Sequence, residues 1–262
     1  MVGKYDDAVE LWHKWHVKTE ADIDLRLDNF RILFAYNSGK IENDAITYND
    51  TREIFENGRV LNYSGLPHTL FELANQKICY EFLKPKLAAR EPITIALIKE
   101  THGALAGGTY DERRYVDRGE RPGEFKKHDY VTGLAEVGSL SENVESDLEE
   151  LLSELNDYEG KELLKAATYF HVRFEYIHPF ADGNGRVGRT LLNYFLMIHD
   201  HPPLIIYDGD KAAYYDALAA YDTTEDLEPM AAFLKQQVER TWEKTLERER
   251  LRDRKQGDGS YV

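Results

Sequence analysis

A glycine-rich turn that runs directly into a strongly apolar segment constrains this chain more than any other stretch. The turn is His178-Pro179-Phe180-Ala181-Asp182-Gly183-Asn184-Gly185-Arg186-Val187-Gly188-Arg189. Behind it, Leu191, Leu192, Phe195, Leu196 and Ile198 recur at helical spacing. A helix this apolar belongs at the centre of a core.

The rest of the chain reads as further helices. Leu25, Phe30, Leu33 and Phe34 recur at helical spacing in a segment ending near Asn43. Thr69 is the expected cap of a helix through Leu73, Ile78, Phe82 and Leu83 that stops before Pro85. Ile93 to Leu105 forms another, ended by Gly107-Gly108. Ser141 with Glu145 opens an acidic helix through Leu148, Leu151, Leu152 and Leu155. Lys161 to Tyr176 precedes the turn. Asp210 begins a helix through Tyr215 and Leu218, and Glu225 to about Arg250 is the last, highly charged beyond Thr241. Gln256 to Val262 reads as a frayed tail. The exception is Tyr110 to Gly133, where Tyr115-Val116 and Tyr130-Val131-Thr132 suggest two short strands joined by a turn. The expected fold is all-α, one domain with a small β-hairpin.

Composition narrows the function classes. The 262 residues are 42% hydrophobic, enough for a sizeable core. A net charge of −15 argues against a general nucleic-acid or anionic-membrane binder, since both need a basic face. Cys79 is the single cysteine, so no intramolecular disulfide forms and a reducing compartment is the simplest inference. No apolar signal core and no apolar run long enough to span a bilayer stand in the sequence. The expected location is the cytoplasm.

The turn has the chemistry of a phosphate site. Gly183 and Gly185 tolerate positive φ and close approach of a ligand, and Asn184 also tolerates the left-handed region. Successive backbone N–H groups there, with the N-terminus of the following helix, attract anions. Arg186 and Arg189 are three apart and share a helical face that can clamp phosphate oxygens. Asp182 beside phosphates suggests Mg²⁺, which takes its other ligands from phosphate and water. His178 is suited to taking a proton from an attacking alcohol near neutral pH. Pro179 is expected to hold His178 extended, and Phe180 to anchor the loop in the core. Each residue alone has an ordinary reading. A lone histidine is usually structural, Asp-Gly and Asn-Gly are common turn formers, and arginines at i and i+3 often make a solvated face. Their conjunction in twelve residues is what points to chemistry.

The run resembles the signature of the Fic (filamentation-induced-by-cAMP) family, His-x-Phe-x-Asp/Glu-Gly-Asn-Gly-Arg-x-x-Arg, at every position. The resemblance extends to the helical layout from about Asp22 to Thr241. It implies an all-α Fic-domain core with a β-hairpin flap. The implied units are a helical segment over 1–21, a Fic-fold domain over 22–241 and a charged helix end and tail over 242–262. The implied activity is protein adenylyl transfer: a Ser, Thr or Tyr hydroxyl of a target protein attacks the α-phosphate of ATP, AMP is transferred and pyrophosphate leaves. By resemblance His178 is the base and Asp182 binds Mg²⁺. Gly183, Asn184 and Gly185 form the anion hole, Arg186 supports the phosphates and Arg189 pairs with the γ-phosphate. Kinase-type relatives carry lysine at the second motif glycine and the phosphocholine-transferring variant carries alanine at the first. Gly185 and Gly183 are retained here, which favours AMP.

Ser38-Gly39-Lys40-Ile41-Glu42-Asn43 resembles the family's inhibitory motif, Ser/Thr-x-x-x-Glu-Gly/Asn. It implies an intramolecular inhibitory helix over about 25–43, with Ser38 and Glu42 on one face and Glu42 paired to Arg189. The segment 110–133 resembles the flap on which a target protein docks, with Lys126 where relatives often carry arginine. Tyr214-Tyr215-Asp216-Ala217-Leu218 resembles the Tyr-x-x-Leu helix near the adenosine, with Tyr215 the expected contact. Self-modification and a homo-oligomer also fit the family. Two alternatives stay open: a hydrolase that removes AMP using Glu42, and a nucleotide-sensing binding module without turnover.

Overall fold

A computed structural model describes residues 3–61, 63–130, 138–156 and 162–258. Ten α-helices are found among them: α1 Lys4–Trp15, α2 Glu20–Glu42, α3 Tyr48–Asn57, α4 Pro67–Ala88, α5 Ile95–Ala106, α6 Val144–Asn156, α7 Leu163–Ile177, α8 Asn184–Ile198, α9 Lys211–Thr224 and α10 Glu228–Asp258. Threonines start three of them. Thr19, Thr47 and Thr94 accept from the backbone N–H groups of Asp22, Asp50 and Leu97 at 3.1, 3.2 and 3.1 Å. Such caps each contribute about 1 kcal/mol. Asp22 also reaches back to the Thr19 N–H at 2.9 Å, closing a capping box.

Helix α8 sits where the sequence puts it. Val187, Leu191, Leu192 and Leu196 are fully buried, and α8 packs against α7, α5, α4 and α2. Phe170, Phe174 and Ile177 of α7 fill the facing side. Burying each such side chain contributes roughly 1.5–3 kcal/mol, so the turn between α7 and α8 is fixed at both ends by core. The N-terminal helix α1 lies along α10, where Trp12 and Trp15 both meet the Trp242 ring edge-on at 5.7 and 5.6 Å.

Several local expectations need correction. Leu25 is 69% exposed, because it stands two residues from buried Leu27 and so on the opposite side of α2. Ile78 is likewise 55% exposed, beside buried Cys79. Helix α4 begins at Pro67, which suits a first-turn position, so Thr69 lies inside the helix and is not its cap. It also continues through Pro85 to Ala88, with Leu83 and Leu87 buried on either side of the proline. Helix α10 continues past Gln256 to Asp258, and the inward face persists past Thr241 as Trp242 and Leu246.

The hairpin is corrected in its first half. Among the described residues there is no strand, and Tyr115-Val116 lies in a π-helical turn, Arg113–Asp117. Asp111 explains this: its carboxylate accepts from the Arg114 N–H at 2.7 Å and its carbonyl from the Tyr115 N–H at 2.9 Å. That local capping outweighs the strand preference of Tyr-Val. Val131, Thr132 and Gly133 lie outside the described residues.

Candidate active site

The α7–α8 turn borders a cavity of about 500 Å³ whose wall includes Glu42, Glu72, Arg114, Tyr130, His178, Asp182, Gly183, Asn184, Gly185 and Arg186. Residues from five parts of the chain therefore meet at one opening.

His178 is the C-cap of α7, with its N–H bonded to the Phe174 carbonyl at 3.0 Å. Its φ is +51°, in the left-handed region, not the extended one expected from Pro179. The helix-ending geometry overrides the pre-proline preference. Burial, and next the charge of Lys126, push the imidazole pKa down to about 4, so the ring is neutral at pH 7. Lys126 is held at this place by its backbone N–H, which donates to the Pro179 carbonyl at 2.9 Å.

The turn itself is latched. Asn184 donates from Nδ2 to the Phe180 carbonyl at 2.7 Å and accepts the Phe180 N–H on Oδ1 at 2.8 Å. Its side chain is thus spent on the loop, and only its backbone N–H remains to meet an anion. Gly183 is the N-cap of α8 with φ +82°. The first intrahelical bond runs from the Val187 N–H to the Gly183 carbonyl at 3.1 Å, so the N–H groups of Asn184, Gly185 and Arg186 precede the ladder. This is the arrangement that binds phosphate at a helix start. Loss of the two Asn184 bonds is measurable: Asn184→Ala is expected to lower unfolding free energy by about 2 kcal/mol in a urea titration.

Asp182 is oriented by its neighbours. One carboxylate oxygen accepts the Gly183 N–H at 2.8 Å, and the other stands 4.0 Å from Arg114 Nη1. Its carbonyl meets His102 Nε2 at 3.0 Å. His102, fully buried on α5, was not singled out from the sequence. Its Nδ1 accepts the Gly123 N–H at 2.8 Å, so Nε2 carries the proton. Burial pushes its pKa down to about 3, and its ring stacks on Phe180 at 3.7 Å. A neutral histidine thus ties α5, the Gly123 turn and the Asp182 loop together. The signal was a lone histidine on the face of α5 that also carries buried Ile98 and Leu105.

The two arginines of the turn are each held by a carboxylate from elsewhere. Arg189 is 2% exposed; its Nε donates to Ser38 Oγ at 3.1 Å, and its Nη2 donates to the Ser38 carbonyl at 2.9 Å and to Glu42 Oε1 at 2.7 Å. Burial alone would raise the Glu42 carboxyl, but Arg189 outweighs it and holds the group below its ordinary value. Glu42 is 33% exposed and opens on the cavity. Arg186 makes a buried ion pair with Glu72 at 3.0 Å. Glu72 in turn accepts from Asn43, the C-cap of α2, at 2.6 Å. Glu72 also was not singled out. Its signal was a run of polar residues, Thr69, Glu72, Asn75 and Gln76, on the inward face of α4.

Gly185 lies against the Glu42–Arg189 pair. A Cβ added there would stand 2.5 Å from Glu42 Oε1 and 2.8 Å from Arg189 Nη1. Gly185→Ala is therefore expected to spread the pair and to weaken ATP binding about tenfold or more in a calorimetric titration, through crowding at the helix start. Tyr215 stands apart from the rest. It is 42% exposed, off the wall of this cavity, and leans on buried Tyr214 at 5.3 Å between rings. Tyr214 occupies the interior position, with its hydroxyl 2.9 Å from His171 Nε2 and its ring 6.0 Å from Arg189.

Residues 92–196 match the model of the Fic/DOC family. The protein adenylyltransferase Fic of Drosophila willistoni is 29% identical over 213 residues, covering 79% of this chain and 40% of that protein. The protein of the same name from Drosophila persimilis is 30% identical, covering 79% and 39%. The chain thus spans about two fifths of the length of these curated relatives. The fold is similar to that of a Fic domain-containing signalling protein from Bacteroides thetaiotaomicron, with TM-score 0.79, 22% identity and coverage of 93% of this chain and 96% of that one. It is also similar to a fragment of Fic-1 from C. elegans, with TM-score 0.78, 22% identity and coverage of 95% and 72%. With that family match enclosing the whole run from His178 to Arg189, residues 92–196 of the chain carry a Fic/DOC family domain.

Proposed function

We infer that this chain transfers AMP from ATP to a Ser, Thr or Tyr hydroxyl of a protein and is restrained by its own Glu42. The observation that carries this reading is the Glu42–Arg189 pair at 2.7 Å, seated on the Gly185 turn beside a neutral His178. The same-named activity of the Drosophila relatives supports it. The unit assigned to it is 22–241, with 1–21 as an N-terminal helical segment and 242–262 as a charged helix end and tail.

His178 takes the hydroxyl proton, and the alcohol oxygen bonds to the α-phosphorus. The bond from that phosphorus to the oxygen bridging to the β-phosphate breaks, and pyrophosphate leaves. The backbone N–H groups of Asn184, Gly185 and Arg186 face the phosphate charge, and the Arg186 guanidinium adds to them. Arg189 holds the γ-phosphate once Glu42 withdraws. While Glu42 stays, it blocks that guanidinium and adds negative charge where the triphosphate carries its own. Tyr215 contacts the adenosine from α9, and the target docks along 110–133.

Mg²⁺ fits beside Asp182, a hard oxygen donor open to the cavity, which leaves phosphate and water to complete the shell. Among the described residues no group of three or more His, Cys, Asp or Glu gathers to hold an ion alone, so the site suits a metal that arrives with a nucleotide. Such an ion would neutralise charge on the α- and β-phosphates.

One observation favours a second reading. Glu42 is ionised and opens on the cavity that holds His178, so it is suited to hold a water that removes AMP from a modified target. Release of AMP from a pre-modified protein, lost in Glu42→Gly, is the result that would establish it. Transfer itself is tested by labelling protein with ATP that carries its label at the α-phosphorus.

A further inference from the structure

The segment leading to Tyr130 is dense in arginine. Arg113, Arg114, Arg118 and Arg121 fall within nine residues that also hold Asp117 and Glu120, a local balance of +2 in a chain whose net charge is −15. Arg113, Arg114 and Arg118, with Asp111 and Tyr130, line a cavity of about 230 Å³. This cavity shares Arg114 and Tyr130 with the larger one that contains His178 and Asp182. Among the described residues, Arg114 pairs with Asp111 at 2.7 Å and approaches Asp182 at 4.0 Å, whereas Arg113 and Arg118 have no carboxylate within 4 Å.

The wall is built rather than incidental. Arg113 and Arg114 stand on the π-helical turn and Arg118 caps it, a backbone form found disproportionately at functional sites. The Arg118 guanidinium lies 5.1 Å over the Tyr130 ring. Tyr130 is itself fixed by donating to buried Glu120 at 2.9 Å, and Glu120 also receives the Lys127 N–H at 3.1 Å. Arg121 lies over the Tyr115 ring at 3.8 Å.

We propose that this basic cavity recognises acidic side chains flanking the acceptor hydroxyl of the target protein. The proposal rests on the AMP-transfer reading and adds a substrate class to it. A target segment with its hydroxyl at His178 passes its neighbouring residues along the wall shared through Arg114 and Tyr130. Guanidinium groups bind carboxylates with directed hydrogen bonds, and Arg113 and Arg118 have no carboxylate within 4 Å among the described residues. The triphosphate has its own donors, at the start of α8 and on Arg186 and Arg189. A long polyanion such as RNA is disfavoured by the acidic remainder of the surface, while a segment with two or three carboxylates is matched by a cluster of this size.

The test is fluorescence anisotropy on the full chain, saturated with Mg²⁺ and a non-hydrolysable ATP analogue. Two labelled peptides of one length are compared, each centred on threonine, one flanked by glutamates and one by glutamines. The glutamate peptide is expected to bind about tenfold tighter, the sum of a few partly exposed ion pairs, with the difference shrinking as salt is raised. The double variant Arg113→Glu with Arg118→Glu is expected to erase the preference while leaving calorimetric affinity for the ATP analogue unchanged. Equal binding of the two peptides, or binding of neither, overturns the proposal. So does a parallel loss of nucleotide affinity in the double variant, which would make the cluster part of the nucleotide site, or an oligonucleotide that binds as tightly as the acidic peptide. Peptide binding needs no turnover, so a failure here is separable from a failure of AMP transfer, which is read by labelling.

Discussion

Glu42→Gly is expected to raise AMP incorporation about 100-fold over the wild-type chain, in the range of a coupling of two to three kcal/mol between an inhibitory contact and a ligand. The reason is local. Arg189 is buried, and among its charged neighbours Glu42 holds it closest, at 2.7 Å. Removing that carboxylate frees the guanidinium for a phosphate and withdraws a negative charge from beside the turn. Arg189 keeps its two bonds to Ser38, so it stays aimed and the chain stays folded. Glu42→Gln separates charge from shape: it keeps the side chain and loses the ion pair, and it is expected to release most of the same activity. Labelling is read on a gel with ATP carrying its label at the α-phosphorus. Equal labelling of wild type and Glu42→Gly would remove the inhibitory role while leaving the transferase in place.

His178→Ala in the Glu42→Gly background is expected to lower transfer by 10²–10⁴-fold, the ordinary contribution of a general base. ATP affinity by calorimetry should change little, because phosphate is held by backbone N–H groups and arginines rather than by the imidazole. The pH profile carries a sharper signature. Burial, with Lys126 second, lowers the folded-state pKa of His178 to about 4, and Glu42 is one of the groups opposing that shift. Glu42→Gly therefore moves the value further down. The base form is populated from about pH 5 upward, and kcat/KM of that variant is expected to be flat in His178 ionisation across pH 5–8. An acid limb centred near the ordinary histidine value of about 6.5 would contradict the neutral imidazole.

Much of the architecture was legible because it rests on local rules. The apolar stripe of α8 follows from spacing within a few residues, whereas the threonine read as a cap, Thr69, lies inside α4. Where the reading failed, a competing local effect won. Asp111 capped a helical turn where Tyr115-Val116 suggested a strand, and Pro85 was tolerated because burial of Leu83 and Leu87 offset its missing N–H. The candidate site divides in the same way. The phosphate chemistry of the turn could be read from residue types alone. The partners of its arginines could not, because Glu42 is 147 residues from Arg189 and nothing in the spacing joins them. The family resemblance supplied that pair. Glu72 and His102 had no such help, since their roles come from where α4 and α5 pack against the turn. A polar residue on a buried face marks such positions, but it does not say what they hold.

The central claim is that the turn after Phe180 presents the α-phosphorus of a nucleotide to an alcohol. Parallel incubations of the Glu42→Gly chain with Mg²⁺ and ATP labelled at either the α- or the γ-phosphorus test it most directly. The α-label is expected to stay on protein and the γ-label to leave as pyrophosphate. Retention of the γ-label would mean phosphoryl transfer, and retention of neither would mean a nucleotide-binding module without turnover; both would contradict it.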